Sequence, residues 1–188
     1  RLIVALTGAS GVVYGKCLLE VLRENRVETH LIVSNAAERV TEHELEMTKQ
    51  ELEKLARHAY SEDDLTAPLM SGSFQTEGMV IIPCSMKTLA GIVHGYSGNL
   101  ILRAADVTLK ERRKLVVVPR ETPLSVVHLR NMLAAAELGV AVVPAMPAFY
   151  HKPVKVDDLV DFVVGRVLDC LGVEHRLFKR WHGMKNSS

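Results

Sequence analysis

Glycines and small hydroxyl residues crowd the first turn of this chain. Leu2-Ile3-Val4-Ala5-Leu6 runs straight into Thr7-Gly8-Ala9-Ser10-Gly11. A hydrophobic strand feeding such a turn into a helix builds an anion site. Gly8 and Gly11 let the backbone approach a phosphate closely, and the first N–H groups of the helix point at it. Gly15 would then let the helix pack tightly on the sheet. The turn by itself is compatible with a nucleotide phosphate site and with a merely tight βα connection. Two features narrow the ligand. The turn falls short of the full G-x-G-x-x-G pattern, and the next apolar run ends Val33-Ser34-Asn35, where a dinucleotide domain places Asp or Glu for the ribose. Both point away from NAD and toward a mononucleotide such as FMN. Ser34 is either part of that site or a helix N-cap.

A second candidate segment is Cys84-Ser85-Met86-Lys87-Thr88, after an apolar run and at the start of a helix. Its hydroxyls and free N–H groups suit another polar part of the same ligand, or simply cap the helix. Cys84 has no neighbouring His to activate it, which argues against a nucleophilic role. Among the basic residues, Arg103, Lys110, Arg112, Arg113 and Lys114 read as a solvated face. Arg120 differs because Val116-Val117-Val118-Pro119 delivers it just past a buried strand. At about 100° per residue, Arg166 falls among Phe162, Val163, Val167 and Val160, so its guanidinium needs either a protein carboxylate or a ligand phosphate. His43-Glu44 begins like a zinc-protease helix, but Met47 stands where the second His should be. Asp157 and Asp158 read as helix-capping acids. Tyr150, after the proline-stiffened run 144–149, is an aromatic lid or a packed anchor.

The elements that must position these residues alternate along the chain. Strands are predicted near 2–7, 27–33, 79–84, 115–118 and 140–143. Helices are predicted near 11–24, 36–58, 87–95, 104–111, 124–138 and 156–171. Thr122-Pro123 reads as the start of the fifth helix, and Gly139 and Gly172 as stops. Residues 59–78 read as a loop, and Asn186-Ser187-Ser188 as a frayed end. Val/Ile-rich strands without polar alternation imply an α/β fold: a mostly parallel sheet buried on both faces by helices in three layers, with ligands at the carboxyl ends of the strands. At 188 residues, 48% hydrophobic and 24% charged, the chain reads as one globular domain. A net charge of +1 gives no electrostatic case for nucleic acid or a membrane surface. No apolar run is long enough to span a bilayer. Cys17, Cys84 and Cys170 lack metal or disulfide spacing, which suits a reducing cytoplasm.

Taken together, several segments resemble the UbiX/Pad-type flavin prenyltransferases. They are Thr7-Gly8-Ala9-Ser10-Gly11, Ser71-Gly72-Ser73-Phe74, Pro83-Cys84-Ser85-Met86-Lys87-Thr88, Arg103-Ala104-Ala105-Asp106-Val107, Leu109-Lys110-Glu111-Arg112-Arg113, Pro119-Arg120-Glu121-Thr122-Pro123-Leu124, Pro147-Ala148-Phe149-Tyr150-His151 and Arg180-Trp181. The likeness runs in order through nearly the whole chain and is weakest over 45–67 and beyond Trp181. It implies a Rossmann-like (flavodoxin-like) flavoprotein fold, with residues 1–188 as a single FMN-binding domain and a tail from about 174. The implied reaction joins the dimethylallyl group of dimethylallyl monophosphate to N5 and C6 of reduced FMN, releasing phosphate. Prenylated FMN would then serve a UbiD-type decarboxylase. Carried over, Gly8, Ala9, Ser10, Ser34, Ser85, Met86, Lys87, Thr88 and Arg120 would hold FMN. Arg103, Lys110, Tyr150 and Arg166 would clamp the allyl phosphate. Ser10, Glu44, Glu121, Lys110 and Trp181 would serve the chemistry, without a metal. The resemblance also implies a homo-oligomer, a dodecamer. A flavin-dependent cysteine-type decarboxylase shares the fold but resembles a Pro-Ala-Ser-Ala-Asn-Thr segment absent here. A non-catalytic FMN carrier would share the flavin site and leave the clamp unexplained.

Overall fold

The computed structural model describes residues 1–181 and 183. Among them, six strands form one sheet: β1 (Leu2–Leu6), β2 (Thr29–Val33), β3 (His58–Ser61), β4 (Gly78–Cys84), β5 (Lys114–Pro119) and β6 (Ala141–Val142). Their order is β3-β2-β1-β4-β5-β6, and every pair is parallel. The helices are α1 (Val12–Glu24), α2 (Asn35–Leu45), α3 (Lys49–Glu53), α4 (Met86–Val93), α5 (Leu100–Lys110), α6 (Val126–Glu137) and α7 (Val156–Leu171). Strand alternation divides them between two cores. Leu2, Val4 and Leu6 pack with Leu18 and Leu22 of α1 and Val163 and Val167 of α7. Ile3 and Ala5 face the other way, toward Leu89 of α4, Ala104 of α5 and Ala135 of α6. Both faces being covered, β1 and β4 are buried at every residue. Each fully buried Leu or Ile contributes about 1.5–3 kcal/mol, so these runs hold the three layers together.

Successive strands step outward from β1 in one direction and from β4 in the other. The crevice at the carboxyl ends of β1 and β4 is therefore the topological switch point, where ligands of such sheets bind. Thr7 ties it shut at the base: its hydroxyl donates to the Pro83 carbonyl (2.9 Å) and accepts from the Ser85 amide (2.7 Å). Gly15 earns its place here, because a Cβ on it would lie 2.8 Å from the Ile82 carbonyl oxygen.

Several boundaries depart from the sequence expectation. The helix expected over 36–58 is two. Glu46 turns left-handed (φ 52°), and Thr48 starts α3 with a capping box to Glu51. Residues 59–78 are not simply loop. His58–Ser61 adds an edge strand, and Ala67 and Leu69 are buried in the second core. The helix expected at 104 begins at Leu100, capped by the Asn99 side chain. The fifth predicted helix is capped by Ser125, not Thr122; Ser125 Oγ accepts from the His128 amide while Pro123 stays in the preceding turn. The last helix starts and stops as expected: Asp158 Oδ2 accepts from the Val154 and Lys155 amides, and Gly172 takes a left-handed φ of 78°. Asn186-Ser187-Ser188 lies outside the described residues.

Candidate active site

The glycine turn behaves as its composition requires. Gly11 takes φ 100°, so α1 begins abruptly at Val12 with no side-chain cap of its own. Instead, Glu44 of α2 reaches back 33 residues: its Oε2 accepts from the Gly11 amide at 2.9 Å and the Val12 amide at 3.3 Å. A carboxylate thus sits on the N–H groups of a helix start, the position an anion favours. A Cβ on Gly8 would lie 2.4 Å from the Ala36 Cβ, so only glycine lets the turn lie this close to α2. Gly8, Ala9 and Ser10 share a cleft of about 570 Å³ with Arg39, His43, Glu44 and Arg120.

Hydroxyls stand at the ends of β2 and β4, the two strands that flank β1. Ser34 caps α2 through the Ala37 amide (3.1 Å), and Ser85 caps α4 through the Thr88 amide (3.3 Å) and lies 3.0 Å from the Thr88 hydroxyl. A hydroxyl that accepts as a cap still has its proton to donate, so capping and ligand binding are compatible roles. Met86 and Thr88 are buried on the first turn of α4, and Lys87 is exposed. Burial pushes the Cys84 thiol up to about 12, which makes it a structural residue rather than a nucleophile.

Arg120 carries the strongest signal. Its amide donates to the Cys84 carbonyl (3.4 Å), but its side-chain Nε is buried with no partner among the described residues. A buried guanidinium donor without a protein partner is costly, so this position suits the charge of an anion. Arg120 also borders a second, mostly apolar cavity of about 270 Å³ lined by Leu124, Met132, Pro144 and Met146, with Glu121 at its edge. Arg120 therefore lies between a cleft bearing charged side chains and a mostly apolar one. The residues present fit a mononucleotide carrying a phosphate and a flat apolar ring. Glu121 itself is exposed, its Oε1 accepting from the Thr122 amide (3.0 Å).

The other predicted residues fall in two separate groups. Tyr150 stands edge-on to Trp181 (5.5 Å between centroids) and to Phe162 (5.8 Å). Beside them Asp169 gathers three partners: Arg166 at 2.8 Å, Arg180 at 2.7 Å and His175 at 3.1 Å. Hydrogen bonding from Arg180 holds the Asp169 carboxyl below the usual carboxylate range. The expectation that Arg166 lies on the apolar stripe is corrected: its side chain is 51% exposed. The sheet-facing arc of α7 centres on Val160, Val164, Val167 and Leu171, whereas Phe162 is covered by His151 and Phe178. Counting Phe162 with the sheet-facing stripe misplaces Arg166. Arg103 and Lys110 form the third group on α5, paired with Asp106 (2.7 Å) and Glu111 (2.6 Å). The basic run around them is not a uniform solvated face. Arg113 donates to the Gly72 and Phe74 carbonyls (2.6 and 2.7 Å), and Lys114 reaches the Leu171 carbonyl.

No hydrogen bond or ion pair among the described residues joins Arg103, Lys110, Tyr150 and Arg166 to one another. Sequence reasoning missed Asp169, whose only local signal is its i+3 spacing from Arg166. It also missed Arg39, which lines the cleft, and His151, whose two ring nitrogens are buried beside Phe162 with no partner among the described residues.

A parallel sheet of this order, with a glycine turn and an unpaired arginine at its switch point, defines a mononucleotide-binding flavoprotein. Residues 1–168 match the Flavoprotein family. The chain is 53% identical over 181 residues to the flavin prenyltransferase UbiX of Methanocaldococcus jannaschii, covering 96% of this chain and 98% of that one. It is 54% identical over 185 residues to a probable UbiX-like flavin prenyltransferase of Escherichia coli O157:H7, covering 98% and 94%. The chain belongs to the UbiX flavin prenyltransferases within the flavoprotein family. Among solved structures, AnUbiX (PadA1) in complex with FMN and dimethylallyl pyrophosphate matches with a TM-score of 0.96 at 46% identity, covering 98% of both chains. A dodecameric FMN-dependent UbiX-like decarboxylase from E. coli O157:H7 matches at 0.95 and 54% identity, covering 97% and 99%. The peptidyl-cysteine decarboxylase EpiD, at 17% identity and 0.64, shares the fold alone.

Proposed function

We propose that this chain, as one FMN-binding domain, transfers the dimethylallyl group of dimethylallyl monophosphate to N5 and C6 of reduced FMN, and that the prenylated FMN serves a UbiD-type decarboxylase. The observation that carries this is the buried, unpartnered Nε of Arg120 between a glycine-turn cleft and an apolar cavity. The names of the relatives and the ligands bound in AnUbiX support the same chemistry. When bound, the reduced flavin supplies the nucleophilic N5 and C6 to which the allyl carbons bond. Gly8, Ala9, Ser10, Ser34 and the Ser85–Thr88 segment bind and orient it. Arg120, with Arg103, Lys110, Tyr150 and Arg166, meets the charge on the phosphate as its C–O bond breaks and the electron pair leaves with it. Cations held in a site that excludes water stabilise such a leaving group strongly. Glu44 and Glu121 move the protons these bond changes require, Ser10 lies beside the reacting centre, and Trp181 with Tyr150 offers aromatic faces to developing allylic charge.

The clamp residues lie apart in one chain. A homo-oligomer, dodecameric like the E. coli relative, would bring those of neighbouring subunits together. Three unpaired cysteines suit a reducing cytoplasm, and no helix among the described residues is long and apolar enough to cross a membrane. The test is incubation with reduced FMN and dimethylallyl monophosphate, following free phosphate and flavin mass. One phosphate should appear per prenyl adduct. FMN binding with neither product would sink the prenyltransferase reading in favour of a flavin carrier, and decarboxylation of a cysteine-ended peptide would favour the decarboxylase.

A further inference from the structure

We propose that Glu28, His30 and His58 form a binding site for a divalent transition metal at the β2–β3 edge of the sheet. The parallel register sets His30 directly opposite His58, and Glu28, two residues earlier, lies on the same side of the chain. Glu28 Oε1 is 3.2 Å from His30 Nε2 and 3.8 Å from His58 Nε2, and the three ligand atoms all lie within 4.8 Å of one another. Tetrahedral zinc, bound at about 2.0–2.1 Å, sets its ligand atoms roughly 3.3 Å apart, so slight side-chain rotation closes the set. The outer contacts are those of a metal-bound imidazole. His30 Nδ1 meets the Tyr60 hydroxyl at 2.9 Å, its ring stacks on His58 (4.7 Å), and Phe74 packs edge-on at 5.0 Å. His30 is only 3% exposed, so its ring is held in place by packing. His58 is exposed and leaves a fourth position to solvent. Two imidazoles and one carboxylate suit zinc, cobalt, nickel or copper rather than magnesium or calcium.

The opposing account is a purely structural network. Arg1 Nε donates to both Glu28 oxygens at 3.1 Å, and its guanidinium lies over the Phe74 ring. Arg1 is thus a resident cation that an incoming metal must share Glu28 with, and this separates the two accounts. The site lies where β2 and β3 begin, at the end of the sheet opposite Gly8 and Ser85. A bound ion would therefore staple a four-residue edge strand to its neighbour and take no part in prenyl transfer.

The test is titration of zinc chloride, and separately cobalt chloride, into the full chain after chelator treatment, read by calorimetry and by the cobalt absorption band. Wild type should bind one ion per chain with a dissociation constant on the order of 10 μM, and its melting temperature should rise by about 2–4 °C at saturating zinc. His58→Ala, at an exposed position, and Glu28→Gln should each weaken binding by at least about tenfold and abolish the shift, since each removes one of three ligands. Arg1→Ala should tighten binding by roughly threefold or more by removing the competing cation. Magnesium should not bind. Unsaturable binding, or zinc affinity and melting shift unchanged in His58→Ala, would overturn the proposal and leave a hydrogen-bonded network only.

Discussion

The cleft at the glycine turn and the Tyr150–Asp169 corner both collect arginines, but they differ in how charge is met. At the turn, Arg120 Nε is buried with no partner among the described residues, and the acid on the helix start is Glu44. At the corner, Arg166 and Arg180 already share Asp169. The first region demands an anion in the single chain. At the second, two guanidiniums share one carboxylate, and Arg166 spends only Nη1 on Asp169. Under the proposed function, a phosphate at the turn would meet a donor with no protein partner among the described residues, whereas at the corner it would share its cations with Asp169.

Arg120→Ala should break this contrast most severely. It removes the unpaired donor between both cavities, and phosphate release should fall by about a hundredfold or more, with weaker FMN binding. Equal activity in the variant would remove the main support for the site. Next, Arg166→Ala should raise the allyl-phosphate KM by about tenfold or more while FMN affinity, read by fluorescence quenching, stays nearly unchanged. Loss of both together would mark Arg166 as structural.

Asp169→Asn sharpens the corner itself. The Asp169 carboxyl is held below its ordinary value of about 3.9, so its contribution to stability is present above that pH and is lost as pH falls through the folded-state value. The variant should lose roughly 1 kcal/mol in urea unfolding at neutral pH. The difference from wild type should shrink as the buffer is made strongly acidic. A difference that persists there would assign the loss to packing instead. The smallest effect belongs to Cys84→Ala. With its thiol pushed up to about 12, prenyl transfer should stay within about twofold of wild type, while stability falls by about 1 kcal/mol from the small cavity.

Residues that act where they stand in the chain were readable in sequence. Gly8, Gly11, Ser34, Ser85 and Arg120 each follow a buried apolar strand, and all five lie at strand carboxyl ends. Strand β3 was not readable, because His58–Ser61 is an edge strand with little apolar signal. The break between α2 and α3 depends on Thr48 and Glu51 closing a capping box inside a polar stretch that keeps helical spacing. Arg166 was misplaced because Phe162 is covered by His151 and Phe178 rather than by the sheet, a distinction that periodicity cannot make. Asp169 was overlooked since two of its partners, His175 and Arg180, arrive from beyond the helix.

By itself, the sequence determined five of the six strands, most of the helices between them, the turn that can hold a phosphate and the family to which the chain belongs. These follow from periodicity, caps and motifs, which neighbouring residues set. Only the tertiary structure decided that β1 and β4 meet at the switch point, that Glu44 reaches the amides of Gly11 and Val12, and that Arg120 Nε is buried with no partner among the described residues while Arg166 is paired. Those outcomes depend on which strands hydrogen-bond and which helices cover them, contacts between residues tens of positions apart that no local pattern specifies.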